Sequence, residues 1–129
     1  MMDLVSEAIV FSVKAHDGMR RRKSEAPYIL HPMEVGAIIG TMTDKQEVIA
    51  AGVLHDVVED AGITIEEIGE KFGSRVKELV ASETENKREQ LPPEETWRIR
   101  KEESIEKLRT TDDIEVLMLW IGDKLSNIP

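Results

Sequence analysis

The 129-residue sequence contains no cysteine and no long apolar run. The absence of cysteine excludes disulfide bonds and cysteine-ligated zinc sites, and it suits a reducing compartment. No apolar segment reaches the length of a membrane span, and the N-terminus lacks the basic and apolar regions of a signal peptide. We therefore expect a cytoplasmic protein that does not interact with membranes.

Signals of several other architectures are also missing. The sequence has no strand-type alternation of apolar and polar residues, no internal repeat, no Gly-rich phosphate loop and no low-complexity segment. Apolar residues recur at helical spacing instead, first from Leu4 to Ala15. The length is sufficient for one domain with a real core. The sequence therefore predicts a single all-α domain over residues 1–129, a bundle of about six or seven helices.

Positive charge is scarce in this chain. With 26 acidic and 17 basic residues the net charge is −9, which argues against non-specific binding to nucleic acid or anionic lipid. A phosphorylated ligand would therefore need a local basic site. The dense cationic run Arg20–Lys23 shortly precedes His31. Such a run is either a solvated loop or a phosphate site.

A cluster of ionisable residues follows an apolar helical segment, Val48–Leu54. This segment predicts a buried helix, yet it leads into His55-Asp56-Val57-Val58-Glu59-Asp60. Four ionisable groups in a core helix would cost several kcal/mol each unless they are paired or bound to a metal. On a helix, residues four apart share a face, as His55 and Glu59 would. This layout predicts a metal centre with acid/base groups beside it.

Two further polar residues stand at unusual places. His31 precedes Pro32, and because proline favours the first helical position, His31 is expected at the N-cap of a helix. Asp123 follows the apolar run Ile114–Ile121, which predicts a central helix. An aspartate after such a run is anomalous unless it binds something. Asn127 lies one turn further on the same face.

Three segments carry a resemblance to a known family. Arg22–Pro32 resembles the RK-x-x-x-PYI-x-HP segment of RelA/SpoT-type alarmone hydrolases, which are HD-domain phosphohydrolases. Leu54–Asp60 resembles their LHD-x-x-ED segment, and Gly122–Asn127 resembles their (A/G)DKLSN segment. The resemblance runs from about residue 5 to the end of the chain and is strongest to the single-domain small alarmone hydrolases. It implies an HD-domain helical bundle.

The resemblance implies a metal site with four ligands: His31, His55, Asp56 and Asp123. Two neutral imidazoles and two carboxylates form a mixed nitrogen and oxygen set with open positions for water. Such a set suits Mn²⁺ or Fe²⁺ better than a closed tetrahedral Zn²⁺ site. We therefore expect one divalent ion, with Mn²⁺ favoured, that lowers the pKa of a bound water and offsets phosphoryl charge.

The resemblance also implies catalytic and substrate-binding residues. Glu59 and Asp60 would orient the attacking water or move protons. Arg22 and Lys23 would hold phosphates or stack on a base, and Asn127 would contact the ribose or base edge. The implied substrate is a guanine nucleotide alarmone, guanosine 3′-diphosphate 5′-di- or triphosphate. Cleavage at the 3′ position would release pyrophosphate.

Three functions stay open at the level of sequence. The first is alarmone hydrolysis, and the second is an HD phosphohydrolase acting on another nucleotide, such as a 2′-phosphorylated dinucleotide. The third is a metal-binding regulatory module without turnover. The resembled domains continue with further helices after the position of Pro129, so we expect the chain to be truncated at its C-terminal end. No oligomeric state is implied.

Other polar residues are expected to be structural. His16 lies near the end of the first helix and is expected to be partly exposed. Glu83 is expected to be a solvated helix end, and the central helix is expected to continue to about Ala61. Thr64–Glu67 predicts a capping box at the start of a short helix. A charged surface helix is predicted over residues 94–108, with its apolar anchors at Trp97, Ile99, Ile105 and Leu108.

Overall fold

The computed structural model describes residues 1–21, 24–84 and 91–127. Within these ranges it contains eight α-helices: α1 (Leu4–Ala15), α2 (Leu30–Gly40), α3 (Gln46–Leu54), α4 (Val57–Ala61), α5 (Ile65–Phe72), α6 (Ser74–Glu83), α7 (Pro93–Thr110) and α8 (Ile114–Ser126). The described residues form no sheet, only an isolated bridge between Arg20 and Pro27. None of the described helices is long and apolar enough to cross a membrane. The predicted all-α fold is confirmed.

Local side-chain and backbone chemistry fixes several helix ends. The Asp3 side chain accepts a hydrogen bond from the Ser6 N–H at the start of α1. Thr64 accepts from the Glu67 N–H at the start of α5, as the capping pattern predicts. Gly62 follows α4 with φ 69°, a left-handed conformation that costs glycine little because it has no Cβ.

Helix α3 lies at the centre of the bundle. Six of its nine residues are buried, namely Val48 and the stretch 50–54. Helices α1, α2, α6 and α8 pack around it. Fully burying a side chain such as Val53 or Leu54 contributes about 1.5–3 kcal/mol. The other elements are therefore placed relative to α3.

Close packing of α2 against α3 depends on two glycines. A Cβ added at Gly36 would lie 2.7 Å from a methyl carbon of Val53, and one added at Gly52 would clash with Ile39. Any larger residue at either position would force the helices apart or displace a buried side chain. The glycines thus set the short distance between the helix that carries His31 and the helix that ends at His55.

An ion-pair cluster holds the start of α8 against α6. Arg75 Nη2 lies 2.9 Å from Asp113 Oδ2 and 2.6 Å from Glu115 Oε1. Asp113 is also the N-cap of α8, and its side chain accepts from the Glu115 N–H. The hydrogen bond from Arg75 holds the pKa of Glu115 below its usual value. This anchor fixes the helix on which Asp123 lies.

The prediction of one continuous central helix is wrong. Helix α3 ends at Leu54 and α4 begins at Val57, so His55 and Asp56 form a corner between them. The His55 ring lies 2.6 Å from the Gly52 carbonyl oxygen through Nδ1. A continuous helix would offer that carbonyl to the amide of residue 56. The shared helical face expected for His55 and Glu59 is therefore interrupted.

Three polar residues lie elsewhere than expected. His31 belongs to the first turn of α2, whose N-cap is Ile29, so it is not itself the cap. His16 is the C-cap of α1 and is 2% exposed, because the ring of Tyr28 covers it with ring centroids 5.1 Å apart. Glu83 ends α6 but is only partly exposed, since it faces a cavity described below.

The charged helix α7 also differs from its prediction. Thr96 is its buried residue, whereas three expected apolar anchors are exposed: Trp97 (57%), Ile99 (46%) and Ile105 (56%). At about 100° per residue, Ile99 lies on the side opposite Trp97, Ile105 and Leu108, so the four apolar residues do not form one stripe. Helix α8 is likewise less central than its composition indicates, because Ile114 and Leu125 are exposed.

Candidate metal centre

Four ionisable side chains meet where α2, the α3–α4 corner and α8 approach one another. Asp123 Oδ1 lies 3.0 Å from His31 Nε2 and 3.1 Å from His55 Nε2. Asp56 Oδ2 lies 3.1 Å from His55 Nε2 and 3.5 Å from His31 Nε2. Both imidazoles are buried. The structure thus brings together all four residues that the resemblance assigns to a metal.

Hydrogen bonds on the far side of each ring determine which nitrogen faces this cluster. His55 Nδ1 lies 2.6 Å from the Gly52 carbonyl oxygen, which can only accept, so Nδ1 carries the proton. Nε2 of neutral His55 then presents a lone pair to the carboxylates. His31 Nδ1 lies 2.8 Å from Ser126 Oγ, and donation to that hydroxyl leaves His31 in the same state. The sequence alone does not predict this contact of Ser126 with His31.

The cluster fits a metal ion because it consists of acceptor atoms. Imidazole lone pairs and carboxylate oxygens at this spacing repel one another unless a cation or protons lie between them. Ligand atoms about 2.1 Å from an octahedral ion are about 3.0 Å apart at right angles, close to the separations found here. Ligand atoms of His31, His55 and Asp123 all lie within 4.8 Å of one another. These three residues could hold a metal ion, and Asp56 adds a carboxylate beside both imidazoles.

Without a cation, the same contacts hold protons. Burial acts to lower the pKa of His55, but hydrogen bonds with Asp123 and Asp56 outweigh burial and raise that pKa well above its usual value. Burial acts to raise the pKa of Asp123, yet hydrogen bonds from His31 and His55 bring it far below the usual range. A metal that binds here must displace the proton on His55, so its affinity should fall at low pH.

Tyr28 is a further neighbour that sequence reasoning quoted only as part of a motif. Its hydroxyl donates to Asp56 Oδ2 at 2.6 Å. Burial and the negative charge of Asp56 raise the pKa of Tyr28, so the phenol stays protonated and keeps donating. The bond fixes the orientation of the Asp56 carboxylate, as outer partners of metal ligands do. The position of Tyr28 in the PYI segment, shortly before His31, is the sequence feature that could have indicated this role.

The other predicted site residues occupy different positions. Glu59 lines the cavity beside the cluster. Asp60 lies on the side of His16, with 3.8 Å between Asp60 Oδ2 and His16 Nε2. Asn127 is the exposed C-cap of α8 and is not among the described residues that line the cavity. The cationic pair Arg22-Lys23 lies outside the described residues.

A cavity of about 130 Å³ opens beside the cluster between α6, α7 and α8. It exposes His55, Asp56 and Asp123 together with Lys107 and Lys124. The ammonium of Lys107 also donates to the carbonyl oxygen of residue 84 at 3.3 Å, and that of Lys124 lies 3.3 Å from Asp123 Oδ2. These two ammonium groups bring positive charge to the cavity in an otherwise acidic chain. Neither lysine was assigned a role from the sequence.

Glu83 lines the same cavity, which corrects the expectation of a solvated helix end. Burial raises the pKa of Glu83 to about 7. The carboxyl group therefore changes its charge near neutral pH, at the edge of the cluster. The sequence gives no sign of this, because the desolvation comes from helices distant along the chain.

Replacing Glu83 with glutamine should flatten the pH dependence of stability in the metal-free protein. The folded-state pKa, about 7, lies above the unfolded value, so folded Glu83 keeps a proton that the unfolded chain loses. The contribution of Glu83 to wild-type stability should therefore be lost as pH rises from the unfolded value of 4.5 through about 7. Allowing for its exposed fraction, Glu83→Gln should remove on the order of 1–2 kcal/mol of this loss.

Urea unfolding at pH 5.5 and pH 8 in the presence of a chelator measures this effect. Glu70→Gln, which removes an exposed carboxylate from α5, is the matched control. Parallel pH slopes for wild type and Glu83→Gln would contradict a raised pKa at this position.

Comparison with curated proteins identifies relatives of the chain. Residues 8–129 match the family model of the HD domain. The chain is 33% identical over 129 residues to a GTP pyrophosphokinase of Myxococcus xanthus. It is 35% identical over 124 residues to a guanosine-3′,5′-bis(diphosphate) 3′-pyrophosphohydrolase of Aquifex aeolicus (strain VF5). These matches cover 98% and 96% of this chain but 17% of each relative, so the chain spans about a sixth of their length.

Solved structures give the same picture. A metazoan orthologue of SpoT, described as hydrolysing ppGpp, matches with a TM-score of 0.84 and 28% identity over 98% of this chain and 69% of its own. A protein of Listeria monocytogenes EGD-e matches with a TM-score of 0.65 and 42% identity over 75% of this chain and 58% of its own. The resemblance to RelA/SpoT-type proteins is confirmed. Because the family model matches nearly the whole sequence, this chain belongs to the HD domain family.

Proposed function

We propose that this chain is a metal-dependent phosphohydrolase that removes the 3′-diphosphate of guanosine 3′,5′-bis(diphosphate) and of its 5′-triphosphate analogue. The observation that carries the proposal is the convergence of two imidazoles and two carboxylates beside a cavity that also contains lysines. The relative from Aquifex aeolicus, named for this reaction, supports the choice of substrate. The cysteine-free composition supports a cytoplasmic location.

The proposed ligands of one divalent ion are His31, His55, Asp56 and Asp123. Their mixed nitrogen and oxygen donors favour Mn²⁺, with Fe²⁺ as the alternative, over a closed zinc site. When bound, such an ion makes a water molecule more acidic and offsets charge on a phosphate. Ser126 and Tyr28 would keep the ligands in position through the hydrogen bonds described above.

Glu59 and Asp60 are the proposed acid/base residues. The reaction adds a water oxygen to the phosphorus next to the ribose and breaks the bond from that phosphorus to O3′. One proton must leave the water, and one must reach O3′. The position of Glu59 in the cavity lining supports its proposed role, which is to accept the first of these protons. Asp60 lies close to Tyr28 and His16 instead, where it would hold or pass on a proton.

Substrate binding is proposed to use cations from two parts of the chain. Arg22 and Lys23 carry the family pattern and would hold phosphates. Lys107 and Lys124 line the cavity and would offset the negative charge of the same phosphates. Asn127 would reach the ribose or base from the end of α8.

Turnover of the alarmone in Mn²⁺-containing buffer, with identification of the products, tests the proposal. We expect pyrophosphate together with guanosine 5′-di- or triphosphate. The assay should include a panel of other phosphorylated nucleotides, among them a 2′-phosphorylated dinucleotide. Turnover of such a compound in preference to the alarmone would identify an HD phosphohydrolase of different specificity. Stoichiometric metal without turnover of any compound would indicate a regulatory module.

Replacing Arg22 or Lys23 with alanine should raise KM and leave the metal content unchanged. Loss of one charge-assisted contact costs about 1.5–3 kcal/mol, or roughly 10- to 100-fold in affinity. Steady-state kinetics beside elemental analysis measures both quantities. Arg20→Ala and Arg21→Ala, from the same cationic run, are the matched controls. If these two variants lose affinity and the first two do not, the register of the family motif is wrong.

A further inference from the structure

His16 is a buried histidine that the proposed mechanism does not use. It is 2% exposed at the C-terminal end of α1. Its Nδ1 lies 3.0 Å from the carbonyl oxygen of Ser12 and 3.2 Å from Ser12 Oγ, which itself donates to the Val53 carbonyl. Because the Ser12 carbonyl can only accept, Nδ1 of His16 must carry a proton. In the neutral ring, Nε2 is then a bare acceptor.

This acceptor has no hydrogen-bond partner among the described residues, although it is fully buried. A carboxylate oxygen, Oδ2 of Asp60 on helix α4, lies 3.8 Å from it. Two acceptors that face each other in this way repel, unless one proton lies between them. With a proton on Nε2, a movement of about 1 Å would close the gap to a charge-assisted hydrogen bond. Such a bond would satisfy the buried nitrogen, as buried polar atoms in proteins nearly always are.

The surroundings of this pair connect it to the cluster. The Tyr28 ring packs on His16, and its hydroxyl donates to Asp56 Oδ2 at 2.6 Å. The carboxylate of Asp60 is also close enough to Tyr28 to contribute to the raised pKa of the phenol. Ser12 from α1, Asp60 from α4 and Tyr28 from the loop before α2 thus all lie beside His16. Asp60 carries the one formal charge among them.

We propose that His16 is a positioning residue for Asp60. In this arrangement both ring nitrogens carry protons: Nδ1–H donates to the Ser12 carbonyl and Nε2–H holds Oδ2 of Asp60. The Asp60 carboxyl group then has one fixed orientation beside Tyr28, and its second oxygen is the one that takes part in proton transfer. This inference rests on the proposed function, since it assumes that Asp60 acts in hydrolysis. It accounts for a histidine at a place where an apolar residue would fill the space without an orphaned nitrogen.

Two substitutions of His16 separate positioning from packing. Asparagine places its amide near Nδ1 and keeps the bond to Ser12, but it does not reach Asp60. Glutamine places a donor near Nε2 and can reach Asp60. His16→Asn should lower kcat by up to about 100-fold, the lower end of what a positioned acid or base group contributes, with KM and metal content unchanged. His16→Gln should recover most of that loss in the Mn²⁺-loaded enzyme.

The same comparison in a second background tests the route of the effect. In the Asp60→Asn enzyme, His16→Asn should cause little further loss of kcat, because the partner of His16 is already gone. Asp17→Asn, which removes an exposed carboxylate next to His16 in sequence, should leave kcat unchanged. Equal losses from His16→Asn in both backgrounds, or equally poor Asn and Gln variants, would overturn the proposal.

A measurement on folded proteins with unaltered His16 covers the case in which His16→Asn does not fold. The ¹⁵N NMR signal of His16 Nε2 should shift between wild type and Asp60→Asn, whereas that of Nδ1 should stay. An unchanged Nε2 signal would overturn the positioning role. Normal kcat in Asp60→Asn would instead show that Asp60 has no part in the proposed mechanism. If Asp60→Asn loses kcat and His16→Asn does not, the proposed function stands and only the positioning role of His16 is overturned.

Discussion

Replacing His55 with alanine should remove the bound metal ion and the hydrolytic activity together. His55 Nε2 lies 3.1 Å from both Asp123 Oδ1 and Asp56 Oδ2, so this one atom connects the two proposed carboxylate ligands. Without it, His31 and the carboxylates form an incomplete set. Loss of an outer partner alone typically costs 10- to 100-fold, and the loss of a ligand should exceed about 100-fold in affinity and in kcat.

The experiment compares metal content after dialysis with turnover at saturating substrate. Asp123→Asn should behave like His55→Ala, because the same Oδ1 contacts both imidazoles. Asp112→Asn is its matched control, since it removes an exposed carboxylate just before α8. Thermal melting of each metal-free variant establishes that it is folded. Metal content that stays at the wild-type level in His55→Ala would exclude this residue as a ligand.

The position of this centre could be predicted because polar residues in apolar helices are conspicuous. His55 and Asp56 directly follow the most buried helix, and Asp123 follows the apolar residues of α8. Burying these ionisable side chains without partners would cost free energy, so each is expected to contact a polar group or a metal ion. Helical spacing alone could not show that they meet one another. The resemblance to the RelA/SpoT-type proteins supplied that step, and the close approach of α2 and α3 at Gly36 and Gly52 explains it physically.

The surroundings of the centre could not be predicted in the same way. Tyr28, Ser126 and Lys107 acquire their roles from contacts with residues far away in sequence. The sequence predicts His16 and Glu83 near the solvent, since each stands at a helix end. Other elements cover both residues, and no local pattern reports such coverage.

The interruption between α3 and α4 has the largest consequence for the chemistry. A continuous helix would have placed Glu59 on the face of His55, one turn or about 6 Å further along the axis. The corner at His55 and Asp56 redirects α4. Glu59 lines the cavity, whereas Asp60 lies on the side of His16 and Tyr28. The two acids therefore have different neighbours, and their substitutions test different parts of the mechanism.

Replacing Glu59 with glutamine or Asp60 with asparagine should lower turnover without removing the metal. Neither residue belongs to the proposed ligand set, so stoichiometry should remain near that of the wild type. A positioned acid or base group contributes typically about 100- to 10,000-fold to a rate, and we expect kcat to fall by about 100-fold or more in each variant. Substrate binding should persist and could improve with Glu59→Gln, because a negative charge beside the phosphates is removed.

The measurement is kcat and metal stoichiometry determined on the same preparations. Glu66→Gln, which removes an exposed carboxylate at the start of α5, is the matched control. Near-normal kcat in both variants would make Glu59 and Asp60 solvated acids at a helix end, without a role in catalysis. Loss of metal would place the affected residue among the ligands. A large fall in kcat for Glu59→Gln alone would assign the proton of the attacking water to the acid that lines the cavity, and it would leave Asp60 and His16 a structural pair.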